Sequence, residues 1–190
     1  MTRIISGVAG SRLLKAPAKG TRPTSDRVRE AVFSALEARD LIFRARVLDL
    51  YAGTGALGLE AISRGALQSV LVESNRQAAQ VCRHNSDLVL SAFSSEKPTI
   101  RIVEKPVTSF LAANRDVFDL VLIDPPYGVE NLELEALFDL LELGLADQAM
   151  IILERATKTE APQLPEKFEL VGTKIYGDTA IHWIEFNRQH

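Results

Sequence analysis

The segment RVLDLYAGTGALG, residues 46–58, decides which fold is expected for this chain. Its first half, residues 46–51, is largely apolar apart from Arg46 and Asp49, and it is predicted to form a buried strand. Three glycines then permit a tight turn, and a helix is expected to begin within them and run to about residue 64. A strand, a glycine turn and a helix in this order are typical of the first unit of a doubly wound α/β sheet.

Strands and helices are predicted to alternate on the carboxyl side of this segment. Strands are expected at residues 69–73, 99–103, 118–124 and 149–154, and helices at residues 76–89, 107–113 and 132–143. Two last strands, 168–175 and 179–186, are predicted to pair antiparallel around the turn Tyr176-Gly177-Asp178. The fold class is therefore α/β, a Rossmann-like, doubly wound, mostly parallel sheet with ligands beyond the carboxyl ends of its strands.

The first 45 residues are predicted to form a short extension of this sheet. Residues 2–20 contain Gly7, Gly10, Pro17 and Gly20, which favour a β-hairpin or a basic arm over a helix. A helix capped by Thr24 or Ser25 is expected to follow, with the apolar positions Val28, Val32, Phe33 and Leu36 at helical spacing. The expected organisation is a hairpin-and-helix extension over residues 1–45 and a main α/β domain over residues 46–190.

Composition narrows the class of protein. A chain of 190 residues with 46% hydrophobic content can bury one core, and no signal peptide or membrane-spanning segment is visible. The single cysteine, Cys82, cannot form an internal disulfide, and no Cys/His cluster suggests a metal site. His84, His182 and His190 are scattered and are interpreted as surface or structural residues. We expect a cytoplasmic protein.

Charge is divided unevenly along the chain. The net charge is −3, but residues 1–46 carry ten Lys and Arg against four Asp and Glu, a balance of +6. Residues 47–190 carry twelve against twenty-one, a balance of −9. Such asymmetry indicates either a basic front end that meets an acidic partner, of which a phosphate backbone is the commonest, or a solvated basic face.

The glycine segment predicts a nucleoside-binding site. Gly53, Gly55 and Gly58 form the pattern GxGxxG, and Glu73 follows twenty residues after Gly53, at the end of the next strand. Close backbone approach and a carboxylate for ribose hydroxyls suit NAD or S-adenosylmethionine equally well. Asp49 favours S-adenosylmethionine, because a carboxylate there opposes a pyrophosphate but attracts a positively charged amino acid group.

The motif Asp124-Pro-Pro-Tyr127 follows the most apolar strand and predicts a loop that positions an amine. Two consecutive prolines remove two N–H donors, so that nearby carbonyls remain available as acceptors. An exocyclic amine conjugated to a base is a poor nucleophile, and acceptors on both of its hydrogens favour the pyramidal geometry that exposes its lone pair. The Asp124 carboxylate and the Pro125 carbonyl are the expected acceptors, and the Tyr127 ring is expected to stack on the base.

These motifs are similar to those of the bacterial 16S rRNA guanine-N2 methyltransferases of the RsmD type. A front segment carries the more specific part of the resemblance: RIISG at residues 3–7, Leu13, and RPTSDRVREAVFSAL at residues 22–36. The resemblance covers nearly the whole chain. It implies a class I S-adenosylmethionine methyltransferase fold, S-adenosyl-L-methionine as cofactor, and methylation of the exocyclic N2 amine of a guanine in 16S ribosomal RNA.

The resemblance also implies a set of site residues. Catalytic contacts fall on Asp124, Pro125 and Tyr127, and cofactor contacts are expected at Asp49, Ala52, Gly53, Gly55, Gly58, Glu73, Val107 and Asp124. Relatives often carry an Asp after the third strand that accepts from the adenine amino group, whereas this chain has Pro106 there. Adenine recognition is therefore expected from the backbone near Val107, or from Glu104.

The partner implied by the resemblance is 16S rRNA or an assembling small ribosomal subunit, and a monomer without an obligate protein partner is expected. RNA phosphates are expected to bind the basic front residues Arg3, Arg12, Lys15, Lys19 and Arg22. Arg27 and Arg29 lie two positions apart and cannot share one helix face, so neither receives a role.

Three other functions compete with this one. An amine methyltransferase acting on adenine in DNA or on a protein glutamine is the nearest, although Asp rather than Asn at position 124 and the basic front end weigh against glutamine. An NAD-dependent oxidoreductase is favoured by GxGxxG alone. A non-catalytic RNA-binding factor would not need the intact motif at residues 124–127.

Overall fold

The computed structural model describes residues 2–16, 25–126 and 128–188. The strands are β1 (Thr2–Arg3), β2 (Leu13–Leu14), β3 (Arg46–Leu50), β4 (Gln68–Val72), β5 (Thr99–Val103), β6 (Phe118–Ile123), β7 (Leu145–Ala156), β8 (Phe168–Tyr176) and β9 (Thr179–Phe186). The helices are α1 (Asp26–Glu37), α2 (Ala56–Ser63), α3 (Arg76–Leu90), α4 (Val107–Ala113) and α5 (Asn131–Leu141), and a 3-10 turn follows at Glu142–Gly144.

Seven strands form one sheet in the order β5-β4-β3-β6-β7-β9-β8. The first five are parallel, β9 runs antiparallel to β7, and β8 runs antiparallel to β9. The order reverses between β3 and β6, which places a topological switch point beside the glycine turn. The predicted doubly wound sheet with an antiparallel carboxyl-terminal pair is confirmed.

Most predicted elements match the observed ones within two residues, and β7 is the main exception. It begins at Leu145 rather than near residue 149, because Leu145 already pairs with Phe118. The register then shifts before Met150 pairs with Leu120, and Gln148 has a φ of 60° within this irregular stretch. The irregular polar positions in this half of the strand obscure the alternation by which a strand is normally predicted.

Side chains of the sheet supply two hydrophobic clusters, one on each face. Val47 and Leu71 face α1, α2 and α3, while Leu48 and Val70 face α4 and α5. Cys82 is buried in the first cluster on α3, and desolvation by burial raises the pKa of its thiol to about 12. The thiol therefore packs and is not poised as a nucleophile.

The front segment is a β-hairpin that packs into the first cluster. β1 and β2 pair antiparallel, and Ile4, Ala9 and Leu14 are buried beneath α1 and α2. Gly7, with a φ of 80°, lies so close to α2 that a Cβ there would be 1.9 Å from the Ser63 carbonyl oxygen. The expectation of a hairpin is confirmed, and the segment is anchored at this point rather than attached loosely.

α1 begins as its sequence predicts. The Ser25 hydroxyl accepts a hydrogen bond from the Val28 amide at 3.3 Å and caps the helix, which buries Val28, Val32, Phe33 and Leu36. Thr24, the other predicted cap, lies outside the described residues. Within residues 2–16, 25–126 and 128–188, no helix is both long and apolar enough to cross a bilayer.

Candidate active site

The carboxyl ends of three neighbouring strands place three acidic residues at one edge of the sheet. Leu50 of β3 is in register with Val72 of β4 and with Ile123 of β6. Glu73 and Asp124 come directly after those two partners, so they flank the end of β3 on axes roughly 10 Å apart. Asp49 lies between them, two residues deeper in the sheet, in register with Leu71 and Leu122. The structure thus brings the predicted acidic site residues together.

The turn between β3 and α2 has backbone conformations that glycine tolerates best. Gly53 and Gly55 have φ of 55° and 81°, and Tyr51, a bulky residue, also lies in this region at 62°. A Cβ on Gly55 would approach the Cys82 Sγ to 2.8 Å, whereas one on Gly53 would have only the Tyr51 carbonyl oxygen at 4.0 Å. Gly55 is therefore fixed by packing, and Gly53 leaves space above the turn in which a ligand fits.

Gly58 serves helix packing and holds Asp49. Its amide donates to the Asp49 Oδ2 at 2.8 Å, and a Cβ at this position would lie 2.6 Å from the Ser69 Oγ. A side chain here would push α2 away from β3 and β4. Gly58, also a predicted cofactor contact, thus packs α2 against the sheet and fixes the Asp49 carboxylate. The remaining predicted contact of the turn, Ala52, is half-buried and donates its amide to the Val72 carbonyl at 3.0 Å.

Asp49 is a buried carboxyl group with one unused acceptor. It is 1% exposed, and its Oδ1 has no hydrogen-bond partner. Desolvation by burial raises its pKa to about 8, and the negative charges of Asp124 and Glu73 add to this effect, although the Gly58 amide opposes it. A buried carboxyl with an orphaned oxygen suits a cationic donor that enters from the open side of the turn.

Glu73 links the glycine turn to the start of α3. Its Oε2 accepts from the Gly53 amide at 2.8 Å, and its Oε1 accepts from the Asn75 amide at 2.7 Å. Each carboxylate oxygen has a second acceptor position, so ribose hydroxyls can bind while both backbone contacts persist. The sequence predicted the Glu73 carboxylate but not its hydrogen bond to the Gly53 amide of the glycine turn.

The loop after β6 occupies the other side of this edge. Asp124 is half-buried and Pro125 is buried, while Tyr127 lies outside the described residues. Val107 is the buried first residue of α4, and Pro106 is the residue before it, with an extended ψ of 142°. The amides of the first helical turn have no acceptor within the helix, so the backbone at Val107 can contact a ring that lies over β5.

Three of the five predicted RNA-binding residues lie in the described hairpin. Arg3 and Lys15 are exposed and Arg12 is half-buried, while Lys19 and Arg22 lie outside the described residues. The Lys15 amide donates to the Asn85 Oδ1 at 2.8 Å. The hairpin is therefore joined to the edge of the sheet where the acidic residues lie.

Sequence reasoning missed Asn85, which connects two parts of the site. This fully buried side chain of α3 donates from its Nδ2 to the carbonyls of Lys15 and of Thr54 in the glycine turn. Its only sequence signal is a polar residue on the apolar face of a predicted helix. Within the described ranges, no group of three or more His, Cys, Asp or Glu side chains is placed to hold a metal ion.

Three features together define a class I methyltransferase. They are a parallel sheet with an antiparallel carboxyl-terminal pair, a glycine turn after the first strand of this sheet, and an Asp-Pro-Pro loop after its central strand. Comparison with solved structures agrees. An Escherichia coli structure described as a methyltransferase superposes with a TM-score of 0.82 and 34% identity, covering 98% of both chains. Magnesium protoporphyrin IX methyltransferase from Synechocystis PCC 6803, solved with bound S-adenosylmethionine, shares the fold with a TM-score of 0.65 and 17% identity, over 88% of this chain and 87% of that one.

Sequence comparison then gives the family. The family model described as Conserved hypothetical protein 95 matches residues 2–185. Ribosomal RNA small subunit methyltransferase D of Escherichia coli (strain K12) is 36% identical over 181 residues, which are 94% of this chain and 86% of that protein. The chain belongs to this family, the RsmD-type methyltransferases, as the motifs of its front segment indicated.

Proposed function

We propose that this enzyme transfers a methyl group from S-adenosyl-L-methionine to the exocyclic N2 amine of a guanine in 16S ribosomal RNA. The observation that carries the proposal is the register of β3, β4 and β6, which sets Glu73 and Asp124 on either side of the glycine turn. The cofactor site and the amine-positioning loop thereby open onto the same edge. Family membership and the name of the 36% identical relative support the RNA substrate.

The cofactor of this class is S-adenosylmethionine, and the residues present fit it. Its sulfonium supplies an activated methyl group. The orphaned Oδ1 of Asp49 offers an acceptor for the α-ammonium group, and the space above Gly53 admits the amino acid portion. Glu73 would accept from the ribose hydroxyls, and the backbone at Val107 would face the adenine. The Asp49 carboxylate disfavours a pyrophosphate and hence NAD.

The chain's role in the reaction is to position the amine. The Asp124 carboxylate and the Pro125 carbonyl would each accept a hydrogen bond from the exocyclic nitrogen, and this favours its pyramidal form. The negative charge of Asp124 would also stabilise the nitrogen as it becomes cationic in the transition state. Tyr127 is proposed to stack on the base. Holding the nitrogen in line with the methyl carbon and sulfur supplies much of the remaining rate enhancement.

The extension of residues 1–45 is proposed to bind RNA, while residues 46–190 form the catalytic domain. Arg3, Arg12 and Lys15 supply positive charge near the acidic edge, and Lys19 and Arg22 are proposed to extend it. The enzyme is proposed to act as a monomer, in the cytoplasm, on 16S rRNA or on the assembling small subunit.

Transfer of labelled methyl from S-adenosylmethionine to 16S rRNA, followed by nucleoside analysis, tests this function directly. We expect label in N2-methylguanosine. In single-turnover reactions at saturating RNA, Asp124→Ala should slow transfer strongly while RNA and cofactor affinities change little, because the contact forms mainly in the transition state. Asp124→Asn should retain more activity than Asp124→Ala but less than the parent, since an amide oxygen accepts without carrying a charge.

Asp139→Ala is the matched control, because Asp139 is exposed on α5, away from this edge. It should react at the parental rate. Label found in N6-methyladenosine would replace guanine by adenine as the target, and NAD binding without S-adenosylmethionine binding would overturn the class of reaction. Parental transfer rates in Asp124→Ala would show that other residues position the amine.

A further inference from the structure

Arg155 is a buried arginine on β7, beside the loop that carries the proposed acceptors for the amine. β7 is parallel to β6, and the last pair in their register is Ile123 with Leu153. Arg155 lies two residues beyond that pair on β7, and Asp124 and Pro125 are the two residues that follow β6. Because neighbouring strands are about 4.8 Å apart, the Arg155 side chain comes within reach of the loop after β6.

The Arg155 side chain holds the far end of this loop. Its Nη1 donates to the Val129 carbonyl at 3.0 Å, and its Nη2 donates to the Asn131 Oδ1 at 3.2 Å. The Val129 amide in turn donates to the Pro126 carbonyl at 3.0 Å. Arg155 is therefore connected through Val129 to the second of the two prolines, the residue next to Pro125.

Packing does not account for an arginine at this position. Arg155 is 8% exposed, its Nε has no hydrogen-bond partner among the described residues, and desolvation by burial lowers its pKa. Its two acceptors are uncharged, whereas Arg46, at the start of β3, pairs with the Asp119 carboxylate at 2.7 Å. A buried guanidinium with neutral partners is costly, and an apolar side chain would fill the same space at lower cost. The contacts with the loop are what the arginine adds.

The loop after β6 needs an anchor because of its own sequence. Pro125 and Pro126 have no N–H, so this part of the backbone cannot donate to β7 as a continuing strand would. The Pro125 carbonyl must also stay free if it is to accept from the amine. The loop is therefore fixed at another acceptor, and the Val129 carbonyl is the one that Arg155 binds.

We propose that Arg155 is a positioning residue for methyl transfer, which fixes the loop so that the Asp124 carboxylate and the Pro125 carbonyl reach the two hydrogens of the amine together. The proposal rests on the function proposed above. In this role Arg155 acts through the loop and touches neither the base nor the cofactor. A displacement of about 1 Å can cost roughly 100-fold in rate, so an anchor at the end of the loop is sufficient to govern the chemical step.

Single-turnover methyl transfer at saturating S-adenosylmethionine and 16S rRNA tests this role. Arg155→Met keeps most of the length of the side chain and removes its donors. We expect it to slow transfer about 10- to 100-fold, while the Kd values for S-adenosylmethionine and RNA stay near those of the parent, because the loop orients the amine without supplying the binding energy. Arg155→Lys retains the charge but not the paired donors, so its rate should lie between those of Arg155→Met and the parent.

Arg46→Met is the matched control, since it makes the same change on a strand of the sheet but at the amino end of β3, away from the site. It should react at the parental rate, at a temperature where melting curves show every variant to be folded. A double-mutant cycle shows whether Arg155 acts through the loop. In an Asp124→Ala background, Arg155→Met should cost less than in the parent, because one of the two acceptors that it positions is already absent.

If Arg155→Met does not fold, Arg155→Lys and Asn131→Ala replace it in the test. Asn131→Ala removes one of the two acceptors and leaves the arginine in place. Both variants should slow transfer while cofactor and RNA affinities stay near the parental values, and parental rates in both would overturn the proposal.

The outcomes separate this proposal from the function on which it rests. A parent that transfers no methyl group to guanine overturns both. If the parent is active, the role of Arg155 alone is overturned by a parental rate in folded Arg155→Met, by an equal loss in Arg46→Met, or by a loss that weaker RNA or cofactor binding explains. An equal cost of Arg155→Met in the parent and in Asp124→Ala also overturns it. A loss of chemical rate that is specific to the anchor and smaller in Asp124→Ala supports it.

Discussion

Asp49 shows how a single buried group links cofactor binding to proton binding. Its pKa in the folded protein is about 8 against an ordinary value of 3.8, chiefly through desolvation. The folded state therefore holds a proton that the unfolded chain releases, and this contribution to stability is full below about pH 4. It is lost as the pH rises through 8. A cation at the unused Oδ1 would favour the ionised form and lower this pKa.

We therefore expect S-adenosylmethionine binding to release protons near neutral pH and to tighten as the pH rises from 6 to 8. Calorimetry in phosphate and in Tris, which differ in ionisation enthalpy, measures the protons released. Asp49→Asn should bind more weakly, release none through this group and lose the pH dependence below 8. Binding that is independent of buffer and pH in the parent would show that no cation reaches Asp49.

Glu60 on α2 and Arg64, the residue directly after this helix, connect three elements. The Glu60 carboxylate is fully buried and accepts from the amides of Ile5 and Ser6 in the hairpin and from the Arg64 Nε. The Arg64 side chain, 1% exposed, also pairs with Glu30 and Glu37 on α1, at 3.0 and 2.6 Å. The hairpin, α1 and α2 are thus held by one polar cluster beneath the apolar packing.

Removing Glu60 should be strongly destabilising, because it leaves two amides and part of a buried guanidinium without acceptors. We expect Glu60→Ala to lower the free energy of unfolding by about 3–5 kcal/mol. Glu166→Ala, at an exposed position before β8, should change it by less than about 0.5 kcal/mol. Urea denaturation followed by circular dichroism measures both. Similar losses in the two variants would contradict the role assigned to this cluster.

Sequence reasoning succeeds for elements whose signals are local and fails where residues distant in sequence meet. The strand, glycine turn and helix of residues 46–63 and the loop after β6 follow from apolar runs, glycines and prolines. Glu60 and Asn85 were overlooked, since their partners lie 55 and 70 residues away. Both nevertheless leave a weak signal, a polar side chain on the buried face of a helix. Arg29 leaves the same signal, since it cannot share one helix face with Arg27.

At the scale of the whole molecule, positive charge in the hairpin lies beside an acidic edge. Asn85 connects Lys15 to the glycine turn, and the buried Arg29 of α1 donates to the Arg3 carbonyl. The hairpin is therefore a wall of the site as well as a source of charge. Deleting it would also remove the buried side chains of Ile4, Ala9 and Leu14, so its role in RNA binding is better tested by neutralising single charged side chains.

We expect the double variant Arg12→Gln, Lys15→Gln to bind 16S rRNA more weakly and with a shallower salt dependence, while S-adenosylmethionine affinity stays near the parental value. Each lost phosphate contact should reduce the slope of log K against log salt by about 0.7 to 0.9, because fewer counterions are released. The matched control is Arg44→Gln, Lys97→Gln, which removes the same charge from exposed positions just before β3 and β5, at the opposite edge of the sheet. Filter binding between 50 and about 200 mM salt measures both slopes. Equal slopes in the two variants would mean that net charge alone governs binding, since the two remove the same charge. A shallower slope only in the hairpin variant would locate the RNA backbone beside the hairpin.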